Sequence, residues 1–494
     1  MGSLLLWDTF DAATASHPER TAIRAGTHDI TFRDLAAHVV AAAAALGDAG
    51  VARGARVVLL AYDEPTTLAW LFAAFRQGAS VAVMMPASSE TAAQLALLDP
   101  TVVVACRAGD DRIVHFGGAH GPALPPGLVV FTAGTTGLAK GVVHTHETLG
   151  ASVRILQLLR VEAMFGVAGG TVDETKLATD LGVVARSVPL GLVYGTTMPL
   201  TTIAGITVAL QALLAGDQLV PLAPARPVRL LRSVHDDALT NVSLYPLLAQ
   251  RLVRELHAHP IDTPANLMFV GIGGGPVPES VAAALEASLG CAVAVGYGAT
   301  EAGGAITMGR ITDHASTRHG TIGTPLPGIE VTIDSESSEL LVRTPARCVG
   351  CIDAVGVTPP VEHDGWYRTG DLARTAPGGA YTVHGRVDAL IRRGGRRIDP
   401  VSVEHALERH PDVDQAAVFA VASRAVAGED DVWSLVVARG PLEEGGVRRH
   451  CSELLGPEAT PRRVIVVPSL PRTADGSVRR HQLESVARLA LERQ

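Results

Sequence analysis

Short apolar runs alternate with stretches of helical period along most of this chain. Residues 56–61, 80–84 and 101–105 read as buried strands, and 67–77 and 90–98 read as helices between them. Near-continuous apolar strands separated by helices predict a largely parallel sheet with helices on its faces. Earlier, Thr31-Phe-Arg-Asp-Leu35 opens a long Ala-rich helix, with Thr31 as its cap. The alternation resumes farther on, with helices at 230–237, 247–257 and 279–289 and strands at 240–244, 267–270 and 292–297. Beyond Gly320 the texture changes: 321–347 is punctuated by Pro and Gly, and alternating strands at 329–333 and 339–343 predict an antiparallel subdomain. From about Ala389 a smaller α+β unit follows, with a helix at 401–410, a strand at 415–421 and a short basic C-terminal helix. The expected fold class is α/β: a large N-terminal domain over 1–387 with a small β-rich subdomain, then a small α+β C-terminal domain over 388–494.

Composition narrows the function. With 494 residues, 47 % of them hydrophobic, the chain can bury large cores in two or more domains. A net charge of −9 argues against non-specific nucleic-acid binding. Of the five cysteines only Cys348-Val-Gly-Cys351 has metal or redox spacing. Without a second pair or nearby histidines it reads as two structural thiols, with zinc or redox chemistry the less favoured reading. Scattered reduced thiols and the lack of a basic, then apolar, N-terminal segment lead us to expect a cytoplasmic protein. The uncharged run over 187–216 is long enough to raise a membrane question. Pro189, Pro199, Gly191, Gly195 and Gly205 interrupt it, so a buried strand, a turn and a core helix are expected instead.

The chemistry gathers at glycine-rich strand ends. After the apolar run at 127–131 comes Thr132-Ala-Gly-Thr-Thr-Gly137, then Lys140. Backbone N–H groups and Thr hydroxyls freed by such a loop can converge on an anion, though a flexible linker has the same composition. The spacing is neither that of a Walker A loop nor Gly-x-Gly-x-x-Gly. Lys140 and Lys176 are the only lysines among 41 Lys plus Arg. A chain that otherwise uses arginine, yet keeps lysine here, points to a need for a compact ammonium. Two further strand ends, Gly271-Ile-Gly-Gly-Gly-Pro276 and Tyr297-Gly-Ala-Thr-Glu301, sit where open α/β sheets bind ligands.

Taken in order, these motifs resemble the adenylate-forming superfamily of acyl- and aryl-CoA synthetases, peptide-synthetase adenylation domains and luciferases, over essentially the whole chain. The family's phosphate loop looks like Thr132 to Gly137 with Lys140, its Tyr-Gly-x-Thr-Glu motif like Tyr297 to Glu301, its Tyr-x-Thr-Gly-Asp motif like Tyr367 to Asp371, and its Gly-Arg-x-Asp hinge like Gly385 to Asp388. The resemblance implies attack of a carboxylate on the α-phosphorus of ATP, with pyrophosphate leaving. It assigns the phosphates to Thr132, Gly134, Thr135, Thr136, Gly137 and Lys140, the α-phosphate to Thr300 and Mg²⁺ to Glu301. It places the ribose at Asp371 and Arg386, and adenine at Tyr297 beside Gly274, Gly275 and Pro276, with Val383 opposite. Lys140, Thr300, Glu301 and Arg386 are then the candidate catalytic residues. The acid pocket is implied at Leu192, Tyr194, Gly273, Gly275, Gly298 and Ala299. With no acid placed for an α-ammonium group, it favours an aryl or medium aliphatic acid. Gly394, Gly395 and Arg396 would meet CoA, or the phosphopantetheine of a carrier protein, after rotation of a mobile C-terminal domain about Asp388. The basic run around them also suits a solvated face. The expected state is monomer or homodimer.

One departure matters most. Leu470-Pro-Arg-Thr-Ala-Asp-Gly476 resembles the motif whose final lysine bridges carboxylate and α-phosphate, but Ser477 stands at that position. Arg479 or Arg480 is a candidate substitute, although a guanidinium is larger and placed differently. Ala133 likewise stands where relatives carry Ser. Three readings stay open at this stage: a thiol ligase with an altered first step, an amide- or diazo-forming adenylating enzyme, and a non-catalytic nucleotide-binding homologue.

Overall fold

The computed structural model describes residues 6–492 except 27, 63, 87, 89, 119–120, 134–138, 167–190, 223–225, 263, 354–355, 360–361, 424, 427 and 473–477. The chain forms two compact units. One comprises most of the chain up to Val331 together with Val342–Tyr367; the other contains Thr332–Leu341 and Arg368 onward.

Two large mixed sheets build the first unit. The eight-stranded sheet runs, edge to edge, Gly356–Thr358, Gly350–Asp353, Ala139–Thr145, Gly127–Ala133, Ser80–Met84, Arg56–Ala61, Val102–Cys106 and Arg112–His115. Its central strands are parallel and buried along their length, which is why they read as unbroken apolar runs. The nine-stranded sheet runs Thr324–Pro325, Gly304–Met308, Ala292–Ala299, Phe269–Ile272, Asn241–Leu244, Val193–Thr196, Gln218–Pro221, Thr21–Ala25 and His28–Thr31. Its pairings from Ala292–Ala299 across to Thr21–Ala25 are also parallel.

Helix boundaries follow local chemistry. Thr31 caps Phe32–Asp48 in a capping box with Asp34, each side chain answering the other's backbone N–H. Phe10 from the first helix stacks on Phe72 at 4.3 Å between ring centroids. The run over 187–216 yields the strand Val193–Thr196 and the buried helix Ile203–Leu214 where described, with the break at Pro199 and Thr202. Among the described residues, no helix is long and apolar enough to cross a membrane.

From Arg368 onward, the second unit carries the antiparallel pairing of the strand ending at Thr375 with Tyr381–Arg386, whose register sets Asp371 opposite Arg386. Beyond it, Val413–Ala422, Asp430–Ala438 and Arg463–Val466 form a three-stranded sheet. The helices Pro400–Glu408, Glu444–Leu455 and Leu483–Leu491 contribute to its two apolar cores. Asp399 caps the first of these helices by accepting from Val401 and Ser402 N–H, with Pro400 in the first turn.

A buried charge cluster ties the helix Glu279–Leu289 to the sheet. Glu286 accepts from Arg318, lies 3.0 Å from His319 Nε2 and accepts from Val293 N–H at 2.8 Å. Burial opposes its charge, but the Arg318 and Val293 hydrogen bonds outweigh burial and hold the carboxyl at about 2. A depressed carboxyl pKa stabilises the fold above the unfolded value, and that contribution disappears as pH falls toward the folded one. Glu286→Gln is therefore expected to destabilise the first unit by on the order of 2 kcal/mol at neutral pH. Unfolding curves of variant and parent should converge as pH falls from about 4.5 toward 2. A constant difference across that window would remove the charge from the explanation.

Candidate functional site

The first unit brings the lysine loop and the Tyr-Gly-Ala-Thr-Glu strand end together. Gly127–Ala133 and Ala139–Thr145 pair antiparallel with Thr132 opposite Lys140. Lys140 therefore lies on a strand rather than on the loop itself. In the other sheet, Ala292–Ala299 ends in a single tight turn at Thr300–Ala302, followed by Gly303 at φ +86°. A Cβ on Gly303 would lie 2.5 Å from Ser152 Oγ and 2.6 Å from Ala346, so only glycine permits this turn. The turn delivers Glu301 Oε1 to 3.2 Å from Lys140 Nζ.

Two contacts pin that meeting point. The carbonyl of Thr300 lies 2.9 Å from His144 Nε2, and the carbonyl of Glu301 accepts from Cys348 N–H at 2.8 Å. Burial holds His144 at about 4, so its ring is neutral at pH 7; because a carbonyl only accepts, Nε2 carries the proton. Burial also pulls the Lys140 ammonium down, but Glu301 and the Cys351 sulfur outweigh it and the net shift is upward. Lys140 is charged, and 38 % of its side chain is exposed against 18 % for Glu301. The site thus offers a fixed cation and a carboxylate at one place.

Gly273–Pro276, Tyr297, Gly298 and Ala299 lie at the C-terminal ends of their parallel strands, whereas Leu192 and Tyr194 of the expected acid pocket lie at the opposite, N-terminal end of theirs. Gly274, at φ +88°, passes so close to Tyr245 that a Cβ would lie 2.8 Å from the ring. Gly273 and Gly275 are half-buried and Pro276 is exposed. Tyr297 packs against the cluster containing Leu326 and Ile306. Gly298 approaches the backbone of Gly304, and Ala299 stands opposite Gly304 in the register. Leu192 and Tyr194 are buried; the Tyr194 hydroxyl accepts from Gln211 at 3.4 Å, and burial raises its pKa while nearby Arg160 opposes. Asp217, paired with Arg160 at 2.8 Å, is pushed up to about 6 by burial, with Arg160 opposing.

In the second unit, Arg386 donates from Nη1 to Asp371 at 2.9 Å and from Nε to Asp388 at 3.0 Å. Gly370, at φ +76°, leaves room for that guanidinium: a Cβ would lie 2.8 Å from Arg386 Nη2. Val383 is half-buried opposite Ala373 on the same hairpin. Gly394 and Gly395 form the exposed tip of the hairpin Ile391–Arg393 and Arg396–Ile398, both with positive φ. Arg396 projects from it, 71 % exposed. Arg480 is already committed, since both terminal nitrogens donate to the Glu404 carboxylate at 3.0 Å. Gly134, Thr135, Thr136, Gly137 and Ser477 lie outside the described residues.

Comparison with known proteins matches this architecture. Residues 10–116 and 125–350 match the AMP-binding enzyme family, and 402–477 match the AMP-binding enzyme C-terminal domain. The chain belongs to this family. Among its relatives, a fatty acid–[acyl-carrier-protein] ligase, MmaC, of Mycobacterium marinum is 26 % identical, with 95 % of each chain covered. A 2-succinylbenzoate–CoA ligase of Geobacillus kaustophilus is 27 % identical over 94 % of this chain and 95 % of its own. Among solved structures, the o-succinylbenzoate CoA synthetase of Bacillus subtilis superposes with a TM-score of 0.79 at 21 % identity, covering 97 % of this chain and 98 % of its own. The amide bond synthetase McbA of Marinactinospora thermotolerans gives 0.76 at 22 % identity, covering 97 % and 99 %. At those identities the likeness establishes the adenylate-forming fold.

Sequence reasoning missed the supports of this candidate site. His144 is a histidine on an apolar strand, and nothing local links it to Thr300. Tyr245 follows a strand end without a motif. Replacing Lys140 with alanine leaves the half-buried Glu301 carboxylate without its counter-charge. Lys140→Ala is expected to cut ATP turnover at least tenfold, the equivalent of about 1.4 kcal/mol, with the fold intact by circular dichroism. Unchanged steady-state kinetics would take Lys140 out of the site.

Proposed function

We propose that this protein is an ATP-dependent ligase that converts a carboxylic acid to its acyl-adenylate with release of pyrophosphate, then transfers the acyl group to a thiol. The observation that carries this reading is the Lys140–Glu301 pair, which joins the Gly/Thr strand to the Thr-Glu turn at one point of the unit. Adenylation builds negative charge on the α-phosphate and on the departing pyrophosphate, so catalysis depends on preorganised cations and donors. Lys140 and the Thr132–Gly137 stretch supply these for the phosphates, and Thr300 for the α-phosphate. Mg²⁺ fits the carboxylate of Glu301, an oxygen donor already turned toward a cation; when bound, it would offset phosphate charge. Asp371 accepts from the ribose hydroxyls, and Arg386 keeps that carboxylate aimed. Tyr297 and the Gly274–Pro276 turn bound the adenine.

The acid is an aryl or medium aliphatic one, because the glycine strand ends offer no charge for an ammonium group. The acceptor is CoA or the phosphopantetheine arm of a carrier protein. Thiol ligases of both kinds among the relatives, at 26 and 27 % identity over nearly the full chain, support this choice. Arg396 and the exposed glycine tip at 394–395 would meet that arm after rotation near Asp388. Because Arg480 is held by Glu404, the first step proceeds without a direct replacement from that arginine for the lysine position at Ser477.

Carboxylate-dependent ATP–pyrophosphate exchange, measured with Mg²⁺ and no thiol across aryl and aliphatic acids, should be positive for one acid class. If no acid supports exchange while ATP binds, the thiol-ligase reading falls in favour of a different oxyanion or a non-catalytic role. Ser477→Lys should accelerate exchange. Arg480→Ala should leave exchange unchanged but destabilise the second unit by on the order of 2 kcal/mol by stranding Glu404. A loss of exchange in Arg480→Ala would return that arginine to the chemistry.

A further inference from the structure

Two thiols lie beside the ammonium that the proposed function uses. Cys351 stands opposite Val142 in the antiparallel pairing of Gly350–Asp353 with Ala139–Thr145. Lys140 is two residues along the strand from Val142. Side chains at i and i+2 leave the same face of a strand, as do directly paired residues, so Lys140 and Cys351 are diagonal neighbours on one face. Such neighbours have Cα atoms about 7–8 Å apart, within reach of a lysine.

The packing bears this out. Val142, Cys348 and Cys351 form one buried cluster, and both cysteines are free thiols. Cys348 pulls the Cys351 thiol down, and the Cys351 sulfur, with Glu301, offsets burial in raising the Lys140 ammonium. The backbone N–H of Cys348 meanwhile holds the carbonyl of Glu301 at 2.8 Å. The Cys348–Cys351 segment therefore bonds the Glu301 backbone and shares a sheet face with Lys140.

We propose that Cys351 is a positioning residue, whose sulfur holds the Lys140 ammonium at its place on the strand end independently of Glu301. A carboxylate engaged by another group releases its ammonium; the sulfur, fixed by the sheet register, does not. Cys348 completes the arrangement by donating its S–H to Cys351, leaving the lone pairs of Cys351 to accept from Lys140. The cysteine pair is then part of the cation's support, and its C-x-x-C spacing follows from one thiol serving the other. The functional consequence rests on the proposed role of Lys140 toward ATP.

The test uses the chain's two lysines. In full-length protein labelled with [ε-¹³C]lysine, two side-chain NMR signals are expected, and Lys140→Ala assigns them. At fixed pH, without ATP, Cys351→Ala should move the Lys140 signal and leave that of Lys176 in place, whereas Cys351→Ser should keep the Lys140 signal near its native position. In pyrophosphate exchange, Cys351→Ala should raise KM for ATP about threefold to tenfold, the size of one ordinary net hydrogen bond. The change in kcat should be smaller, and Cys351→Ser should restore most of the effect. A Lys140 signal unmoved in Cys351→Ala overturns the contact and the proposal together. A signal that moves while KM for ATP stays native keeps the contact but removes Lys140 from ATP binding, overturning the positioning role at that step. If Cys351→Ala does not fold, Cys351→Val in the same labelled protein gives the same comparison.

Discussion

One half-buried ion pair depends on both large sheets of the first unit being in register. Lys140 reaches Glu301 because a hairpin sets it opposite Thr132 and because a glycine-backed turn ends the Ala292–Ala299 strand at the right height. The neutral His144 ring and the Cys348 N–H fix the two carbonyls of that turn. Charge in a partly desolvated place costs free energy unless it is paired. Each member of the pair answers that cost for the other, so the site keeps a cation and a carboxylate poised together.

The charges of the second unit are distributed by the same logic. Arg386 divides its guanidinium between Asp371 and Asp388, and Arg480 closes a two-pronged contact with Glu404. A fork of that kind is geometrically exacting, and an arginine held in it does not stand in for a lysine that must travel with substrate. The Ser477 position is thus the chemical puzzle of the chain. Membership in the AMP-binding enzyme family establishes the scaffold.

Much of this fold was legible as pattern. Parallel strands buried on both faces give unbroken apolar runs, so 56–61 and 80–84 were readable residue for residue, and the Thr31 cap followed from its spacing to Asp34. Helix ends moved by one to three residues, as at 230–237, where Pro227 starts the helix earlier. The motif residues were legible because their spacing is local. Their partners were not: the contact between Lys140 and Glu301 spans 161 residues, and His144 and Cys351 reach the site through sheet register rather than sequence proximity. Tyr194 shows the converse. Its place near a substrate motif suggested a pocket wall, while its burial beside Gln211, Arg160 and Asp217 belongs to a polar core that composition does not reveal.

The measurement closest to the central claim is protection of Lys140 from acylation by a lysine-reactive ester, followed by mass spectrometry with Lys176 as the internal reference. If the Lys140–Glu301 pair marks the phosphate site, ATP with Mg²⁺ slows modification of Lys140 several-fold, and adenosine, which lacks phosphates, does not. Equal rates with and without ATP, under conditions where ATP is bound, would place the phosphates elsewhere and contradict the account.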